Sequence, residues 1–372
     1  MNPIISIVIP TYNRYKYLYD CIKSITSVKS DELEIVIQDN TENNKECVKF
    51  LKELNDYRIK YFHRADHVSV IENCEMGILH ATGDYICMIG DDDTVCNHIV
   101  KAAHYLKTHK IEGCNFPFPG FNWPDMTFEN GMSKEANLFF MKKADGSVVA
   151  VDAKKELKEK GCRGGLSDHM PRLYHGIVAR TCLDRIYDKV GTFFPGPSPD
   201  MANAVATCLE IESSVYLSDY LIVSGYSHES ARGEGRRNQH YGRIQDKPWL
   251  PKDTINKWDL NIPQIFSGET IIAQSATQAL KEMGADKEYK FNYSPLYAEF
   301  FWHHRNASKE LFQFLVKSPI RTWWFIKGIS NKVLSKIKGG EKPQRNYKEF
   351  DGVTSLAEAK KIAEEMALTI DY

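Results

Sequence analysis

The amino-acid sequence predicts an α/β fold in which helices flank a mostly parallel sheet, with a helical extension at the C-terminus. Short apolar runs rich in β-branched residues alternate with segments of helical periodicity over residues 4–120. Polar clusters follow three of these runs: Pro10 to Asn13, Asp39 with Asn40, and Asp91 to Asp93. Because ligands of parallel sheets bind beyond the carboxyl ends of the strands, we expect the three clusters to meet in one crevice.

The elements of this half follow from its hydrophobic spacing. Leu18, Cys21, Ile22 and Ile25 share one face of the first helix, as a period of 3.6 residues requires. Strands are predicted over residues 4–9, 34–38, 59–62 and 85–89, and helices over residues 15–26, 47–54, 70–80 and 98–106.

The pattern weakens over residues 116–171, which we predict to be irregular apart from a charged helix at 152–160. Further predictions are a strand at 173–178, a helix at 200–209, a strand at 215–223, a flexible loop at 227–242, helices within 270–317 and a short helix at 355–368. We therefore divide the chain into a domain of residues 1–245, with halves 1–115 and 116–245, and a helical extension of residues 246–372.

Composition limits the function classes. A formal net charge of -1 gives no overall field of the kind that marks nucleic-acid binders. The nine cysteines are scattered without a Cys-x-x-Cys pair, which favours reduced, buried thiols. The first residues lack the pattern of a secretory signal, and no apolar run reaches the roughly 18 residues of a membrane span. We expect a cytoplasmic protein.

The consecutive carboxylates Asp91, Asp92 and Asp93 end a buried strand. Their mutual repulsion needs compensation, which a hard cation such as Mg²⁺ or Mn²⁺ provides while bridging to a diphosphate. The alternative is that the acids favour the dipole of the helix that follows. The strand context favours a metal site.

Four ordered motifs carry a family resemblance: residues 6–14 (SIVIPTYNR), residues 35–40 (IVIQDN), residues 81–86 (ATGDYI) after Asn73, and residues 90–93 (GDDD). The chain resembles glycosyltransferase family 2, which has the GT-A fold, strongly over residues 4–110 and more weakly over residues 171–245. We found no match for residues 250–372.

The resemblance implies a role for each residue of the predicted crevice. Pro10, Thr11, Tyr12 and Arg14 would line the nucleotide pocket, and Asp39 would accept a hydrogen bond from the base. Asp91 would contact ribose or metal, Asp92 would contact the nucleotide, and Asp93 would bind the metal. The structural alternatives are a helix cap for Thr11, a packed aromatic for Tyr12, a surface cation for Arg14 and a turn residue for Asp39.

Sugar transfer also needs a base for the acceptor hydroxyl. The resemblance implies an acidic residue before a helix, and Asp200 in the segment PSPDM is our candidate, with Asp168 as the second choice. Many family members have Glu-Asp where this chain has Pro199-Asp200. A plain helix cap is the alternative for Asp200.

The predicted loop at residues 227–241 contains His228, Arg232, Arg236, Arg237 and His240. By resemblance, its cations would stabilise the departing diphosphate, and His240 would complete the metal shell. A solvated polar loop is the alternative.

Residues 317–338 contain six basic residues and no acid, interleaved with tryptophan and aliphatic residues. Such a helix can lie on an anionic membrane, and the alternative is a helix packed on the protein with solvated lysines.

The sequence therefore predicts a Mn²⁺- or Mg²⁺-dependent glycosyltransferase. By resemblance, it would be an inverting enzyme that moves sugar from a UDP-linked or similar donor to a hydroxyl of a glycan or lipid-linked glycan. Surface polysaccharide or lipopolysaccharide assembly is the expected setting. The alternatives are a nucleotidyltransferase of the same fold, which the missing Gly-rich loop disfavours, and a non-catalytic glycan-binding scaffold, which the acidic cluster disfavours.

Overall fold

Strands and helices alternate in the first half of the protein, as predicted. The computed structural model describes residues 3–127, 136–236, 240–338 and 346–367. The first strands are β1 (Ile5–Thr11), β2 (Leu33–Asp39), β3 (Ile59–His63) and β4 (Tyr85–Met88). The helices between and after them are α1 (Tyr15–Thr26), α2 (Lys45–Leu54), α3 (Val70–His80) and α4 (Ile99–Thr108).

The second half is less regular, and some predictions for it were wrong. Most described residues of 116–171 lie outside strands and helices, as predicted, but short strands also form on either side of residues 128–135. The elements up to residue 190 are β5 (Thr94–Val95), β6 (Gly113–Asn115), β7 (Gly120–Asn122), β8 (Asn137–Phe140), β9 (Val148–Ala150), α5 (Ala153–Glu159), β10 (Gly176–Ala179) and α6 (Arg180–Val190).

The single strand predicted at 215–223 is two strands in different sheets, and the loop predicted at 227–242 contains a helix. The elements up to residue 267 are α7 (Pro199–Glu210), β11 (Ser214–Leu217), β12 (Ile222–Tyr226), α8 (Ala231–Arg236), β13 (Tyr241–Gly242) and β14 (Phe266–Ser267). The last are α9 (Gly268–Glu282), α10 (Tyr293–His303), α11 (Ser308–Leu315), α12 (Pro319–Ile337), β15 (Lys348–Asp351) and α13 (Leu356–Met366).

The main sheet has eight strands in the order β3, β2, β1, β4, β10, β6, β11, β9. The strands β1 to β4 run parallel, with Ile7 opposite Ile35 and Val8 opposite Met88. Strand β10 runs antiparallel to both of its neighbours. This mixed sheet, flanked by helices and followed by a helical C-terminal region, confirms the predicted fold class. The parallel part brings the carboxyl ends of β1, β2 and β4 to one edge.

A second sheet of five strands, in the order β15, β8, β7, β12, β5, closes the other side of that edge. It brings residues 222–227 next to the acidic cluster, because β12 pairs with β5 directly after Asp93.

The C-terminal helices have a core of their own, built from Trp258, Phe266, Tyr297, Phe300 and other apolar side chains. Within it, α12 crosses α10 at Gly328, where a β-carbon would lie 2.1 Å from the carbonyl oxygen of Ser294. Only glycine allows the two helices to approach so closely.

Residues 346–367 return to the N-terminal part of the protein. Strand β15 pairs with β8, and α13 packs on α1. The buried ammonium of Lys360 donates to the carbonyl oxygen of Ser24 at 3.1 Å and to the hydroxyl of Ser27 at 2.8 Å. The C-terminal segment thus joins the first domain through contacts at the end of α1.

No helix in the described ranges combines the length and apolar character that a bilayer span requires.

Candidate active site

The three polar clusters that follow β1, β2 and β4 meet at one edge of the sheet. Thr11, at the end of β1, lies opposite Asp39 at the end of β2. The hydroxyl of Thr11 donates to Oδ2 of Asp91 at 2.7 Å. The predicted convergence is therefore present, and Thr11 does not cap α1, whose N-cap is Arg14.

Arg14 lies over the first two carboxylates of the acidic cluster. Its Nη1 is 3.1 Å from Oδ1 of Asp91, and its Nη2 is 2.9 Å from Oδ2 of Asp92. The same oxygen of Asp92 accepts hydrogen bonds from the hydroxyl and the backbone N–H of Ser227, at 2.6 and 3.2 Å. Arg14 is therefore not the surface cation of the alternative interpretation, because it joins the β1 loop to the acidic cluster.

The charges of these carboxylates are incompletely balanced. Burial raises the pKa of Asp91 to about 7, although the guanidinium of Arg14 opposes the shift. Burial also raises the pKa of Asp92, again against the effect of Arg14. Two buried carboxylates thus share one partly buried cation, and the site favours an additional positive charge.

The third carboxylate, that of Asp93, points into the protein. It is 1% exposed, and its Oδ2 accepts from the N–H of Gly90 at 2.6 Å and from Nε2 of His175 at 2.7 Å. Its Oδ1 accepts from the N–H of Gly225 at 2.7 Å. Asp93 thus connects the acidic loop to β12 and to the segment before β10.

His175 was missed in the sequence, which offered no local signal for it. It lies 82 positions from Asp93 in the chain, and its backbone has a φ of 57°. A left-handed conformation is uncommon for a residue other than glycine. The buried hydrogen bond to Asp93 fixes the position of the histidine side chain.

A cleft of about 580 Å³ opens beside Arg14. The sequence-predicted residues Pro10, Thr11, Tyr12, Arg14, Asp91 and His240 all line it. Asn40 and Asn73 of the sequence motifs line it as well, together with His67 and Trp249, which no sequence pattern indicated. The volume is within the range of small-molecule sites.

Tyr12 forms an accessible wall of this cleft. Its side chain is 47% exposed, and its ring meets that of His67 edge to face at 5.4 Å between centroids. The alternative of a packed core aromatic does not hold. A planar ligand can stack on its free face.

Asn73 provides a polar group on the opposite wall. It lies in the second turn of α3, which begins with a capping box between Ser69 and Glu72. Its Nδ2 donates to the carbonyl oxygen of Thr11 at 3.2 Å. Its Oδ1 is buried and accepts no hydrogen bond from the described part of the chain, so it is available to a ligand N–H or O–H group.

Asp39 is fully buried beneath the cleft and does not line it. Its Oδ2 accepts from the hydroxyls of Tyr15 and Tyr61 at 2.6 and 2.7 Å, and its Oδ1 accepts from the N–H of Thr41 at 2.8 Å. It therefore stabilises the turn that places Asn40 in the wall.

The two candidate bases lie outside the lining of the cleft. Asp200 follows Pro199 in the first turn of α7, whose N-cap is Ser198, so the plain capping role does not apply to it. Burial and the nearby charge of Asp200 both raise the pKa of Cys74, the neighbour of Asn73 in α3. Asp200 therefore lies on the α3 side of the site. Asp168 is at the surface, where it pairs with Lys142 at 2.5 Å.

Four residues of the predicted loop line part of the cleft: Glu229, Ala231, Glu234 and His240. Nδ1 of His240 lies 3.1 Å from a carboxylate oxygen of Glu234, and Nδ1 of His228 lies 3.1 Å from the hydroxyl of Thr127. Arg237 and the side chains of Arg232 and Arg236 lie outside the described residues.

The carboxylate oxygens beside the cleft suit a hard divalent cation. The protein would hold such a cation together with the phosphates of a bound ligand. Oδ1 of Asp91 is buried and accepts no hydrogen bond from the described residues, with only Nη1 of Arg14 beside it. No group of three or more His, Cys, Asp or Glu side chains in those residues is arranged to hold a metal alone. Mg²⁺ commonly takes one or two carboxylates and completes its shell with substrate phosphates and water.

The fold and the cleft define an α/β protein with a ligand site at the carboxyl ends of its parallel strands. Residues 6–143 match the family model described as Glycosyl transferase family 2.

Relatives with curated descriptions include the glycosyltransferase GlyG of Streptococcus pneumoniae, which is 31% identical over 28% of this chain and 35% of that protein. The GalNAc(5)-diNAcBac-PP-undecaprenol beta-1,3-glucosyltransferase of Campylobacter jejuni is 27% identical over 42% of this chain and 54% of that protein. The matches thus span about half or less of these relatives. The solved structure of TarS from S. aureus with UDP-GlcNAc has a TM-score of 0.48 and 16% identity, covering 92% of this chain and 93% of that chain.

Proposed function

We propose that the protein is a glycosyltransferase that uses a nucleotide-sugar donor, with UDP as the favoured nucleotide. Its acceptor is a hydroxyl of a glycan or lipid-linked glycan, and it acts in the synthesis of cell-surface polysaccharide. One observation carries the proposal: the buried carboxylates Asp91 and Asp92, in the family-matched part of the chain, share a single arginine, and Asp91 and that arginine line a cleft of about 580 Å³. The named relatives from Streptococcus and Campylobacter support the reaction class.

The cleft would hold the nucleotide between Tyr12 and the N-terminal end of α3. The exposed ring of Tyr12 offers a stacking face for the base. The free Oδ1 of Asn73 offers an acceptor. Asp39 supports this wall from beneath, so the hydrogen bond to the base implied by the family would require one of its tyrosine partners to move away.

Asp91 and Asp92 would hold Mn²⁺ or Mg²⁺ together with the diphosphate, and His240 lines the same cleft. A bound divalent cation would offset the negative charge that develops on the departing diphosphate. Arg14 would remain beside the phosphates as a second cation. Asp93 was the metal ligand expected from the sequence. Its three internal hydrogen bonds favour instead a role in positioning the acidic loop.

Asp200 is the proposed base. In an inverting transfer the acceptor oxygen attacks the anomeric carbon, the bond from that carbon to the phosphate oxygen breaks, and a carboxylate takes the acceptor proton. Asp200 lies near Cys74 of α3, the helix that also carries Asn73. The cytoplasmic location predicted from the sequence fits a lipid-linked acceptor and is part of this proposal.

The experiment is a donor-hydrolysis screen that measures nucleoside diphosphate release from UDP-, GDP- and dTDP-sugars, with Mn²⁺ or with a chelator. We expect release from one donor class that requires the metal and is lost in Asp92→Asn. Asp200→Asn should keep donor binding and lose transfer to an acceptor, whereas the matched variant Asp168→Asn, at an exposed carboxylate, should keep both.

Absence of release with every donor and metal would contradict the proposal. Release of pyrophosphate from a nucleoside triphosphate and a sugar phosphate would identify a nucleotidyltransferase instead. Glycan binding without release would identify a scaffold.

A further inference from the structure

The helix α12 carries a row of exposed apolar side chains on its outer side. We call this row the apolar stripe and define it as Ile320, Trp323, Ile326, Val333, Leu334 and Ile337. Trp323 is 55% exposed and Ile337 is 75% exposed. The spacing of three, four and seven residues puts these side chains on one face of the helix over almost its full length. Single exposed apolar residues are ordinary, but a continuous row marks an interaction surface.

The stripe does not result from a poorly packed helix. The opposite side of α12 is docked on α10, where Gly328 permits the close crossing with Ser294. The ring of Trp324 stacks on that of Tyr293 at 4.8 Å, and the ring of Phe325 meets that of Phe301 at 5.6 Å. The helix is therefore held firmly by one face, and the other face is presented to the surroundings.

The charges around the stripe have a single sign. Residues 317–338 contain six basic residues and no acid. One of the six, Lys332, pairs with Glu299 of α10. Lys327 lies 5.0 Å from the ring centre of Trp323. Four exposed lysines form no ion pair within the described ranges: Lys317, Lys327, Lys336 and Lys338. Any partner of the stripe must therefore accept apolar side chains and carry negative charge at its border.

We propose that the apolar stripe binds the surface of an anionic lipid bilayer. The helix would lie in the plane of the headgroups, with Trp323 and its aliphatic neighbours below them and the lysines at the level of the lipid phosphates. A second copy of the chain fits less well, because a two-fold pairing of this face places lysines opposite lysines. The following residues, 339–345, have the sequence GGEKPQR and offer no large apolar side chain to cover the stripe.

The test is co-sedimentation of the full chain with vesicles of phosphatidylcholine and with vesicles of equal parts phosphatidylcholine and phosphatidylglycerol. We expect binding to the anionic vesicles that weakens as salt increases, with a blue shift of tryptophan fluorescence that is smaller in Trp323→Phe. Trp323→Glu and Ile326→Glu should each reduce the vesicle partition coefficient roughly tenfold or more, since a charge replaces a buried apolar group. The double variant Lys327→Glu, Lys338→Glu should reduce binding to the anionic vesicles and leave binding to the phosphatidylcholine vesicles unchanged.

The matched control is Leu79→Glu, because Leu79 is also helical and is 51% exposed, on the distant helix α3. It should bind vesicles as the unchanged protein does, and all variants should keep the same melting temperature. Equal partition of Trp323→Glu and the unchanged protein would overturn the proposal, as would failure of the unchanged protein to bind anionic vesicles. A dimer in light scattering that Trp323→Glu dissociates, without vesicle binding, would assign the stripe to self-association and overturn it as well.

Discussion

Nη2 of Arg14 lies 2.9 Å from Oδ2 of Asp92, beside the cleft that Arg14 lines. The same guanidinium is also the ion-pair partner of Asp91, so one partly buried cation serves two buried carboxylates. These ion pairs connect the β1 loop to the acidic loop without any ligand and leave the negative charge of the two carboxylates incompletely balanced.

The first prediction concerns Arg14. Replacement by methionine leaves the buried carboxylates without their cation, which costs roughly 3–5 kcal/mol for a buried pair. We therefore expect Arg14→Met to lower the free energy of unfolding in urea when no metal is added. The matched variant Arg64→Met, at an exposed arginine that contacts the sulfur of Met76, should change this free energy little. Equal stability of the two variants would show that the ion pairs at Arg14 do not stabilise the loop.

The second prediction distinguishes the role of Asp92 in metal binding from the role of Asp93 in positioning the acidic loop. Asp93→Asn replaces an acceptor oxygen by an amide donor that faces the donors of Gly90, Gly225 or His175, so it should cost about 1–3 kcal/mol in unfolding free energy. Asp92→Asn should cost less, because it also removes repulsion from Asp91, but it should abolish the metal dependence of nucleoside diphosphate release. If Asp93→Asn keeps full stability and loses the metal response, Asp93 is the ligand after all.

The third prediction concerns the exposed ring of Tyr12. Loss of a stacking partner for the base should raise the donor KM about tenfold in Tyr12→Ala, with kcat little changed. Tyr12→Phe keeps the ring and should behave as the unchanged enzyme does. Steady-state kinetics of donor hydrolysis measures both, and an unchanged KM in Tyr12→Ala would exclude a stacking role.

The fourth prediction is a pH dependence at Glu269, at the start of α9. Burial alone would raise the pKa of Glu269, but hydrogen bonds from His304 and His303, at 3.0 and 2.8 Å, outweigh it and hold the pKa of this carboxyl well below its usual value. A carboxyl with a lowered pKa adds stability that is fully present above the ordinary value of 4.5 and is lost as the pH falls below it.

We therefore expect Glu269→Gln to unfold at a lower temperature than the unchanged protein at neutral pH, because the amide keeps only one acceptor for the two histidines. The difference should shrink as the pH is lowered below 4.5. Thermal unfolding at a series of pH values gives the comparison. A difference that stays constant down to acidic pH would show that the charge of Glu269 contributes nothing.

The sequence predicted the elements from β1 to α4 well, because local periodicity determines them. Strand β1 is almost entirely buried, and its apolar run needs no distant information to be identified. The strand predicted at 215–223 failed for a local reason that was available. Ser218 and Asp219 interrupt the apolar run, and Oδ1 of Asp219 accepts from the N–H of Tyr220 in the turn between β11 and β12.

Long-range contacts account for what could not be predicted. The hydrogen bond from His175 to Asp93 joins positions 82 residues apart, and the hydrogen bond from Lys360 to Ser24 joins positions 336 residues apart. No spacing rule connects such residues. The wall residues Pro10 to Arg14 were found because they follow a strand, whereas Trp249 reaches the cleft from a segment without regular structure.

Thermal unfolding with UDP, GDP and dTDP, each with and without Mn²⁺, in the unchanged protein and in Asp92→Asn, tests whether this cleft binds a nucleoside diphosphate through a metal. A ligand that binds the folded state raises the melting temperature by mass action. We expect a rise with one nucleotide that requires Mn²⁺ and disappears in Asp92→Asn. No rise with any nucleotide at millimolar concentrations, or a rise that persists without metal and in Asp92→Asn, would contradict a metal-diphosphate site at this cleft.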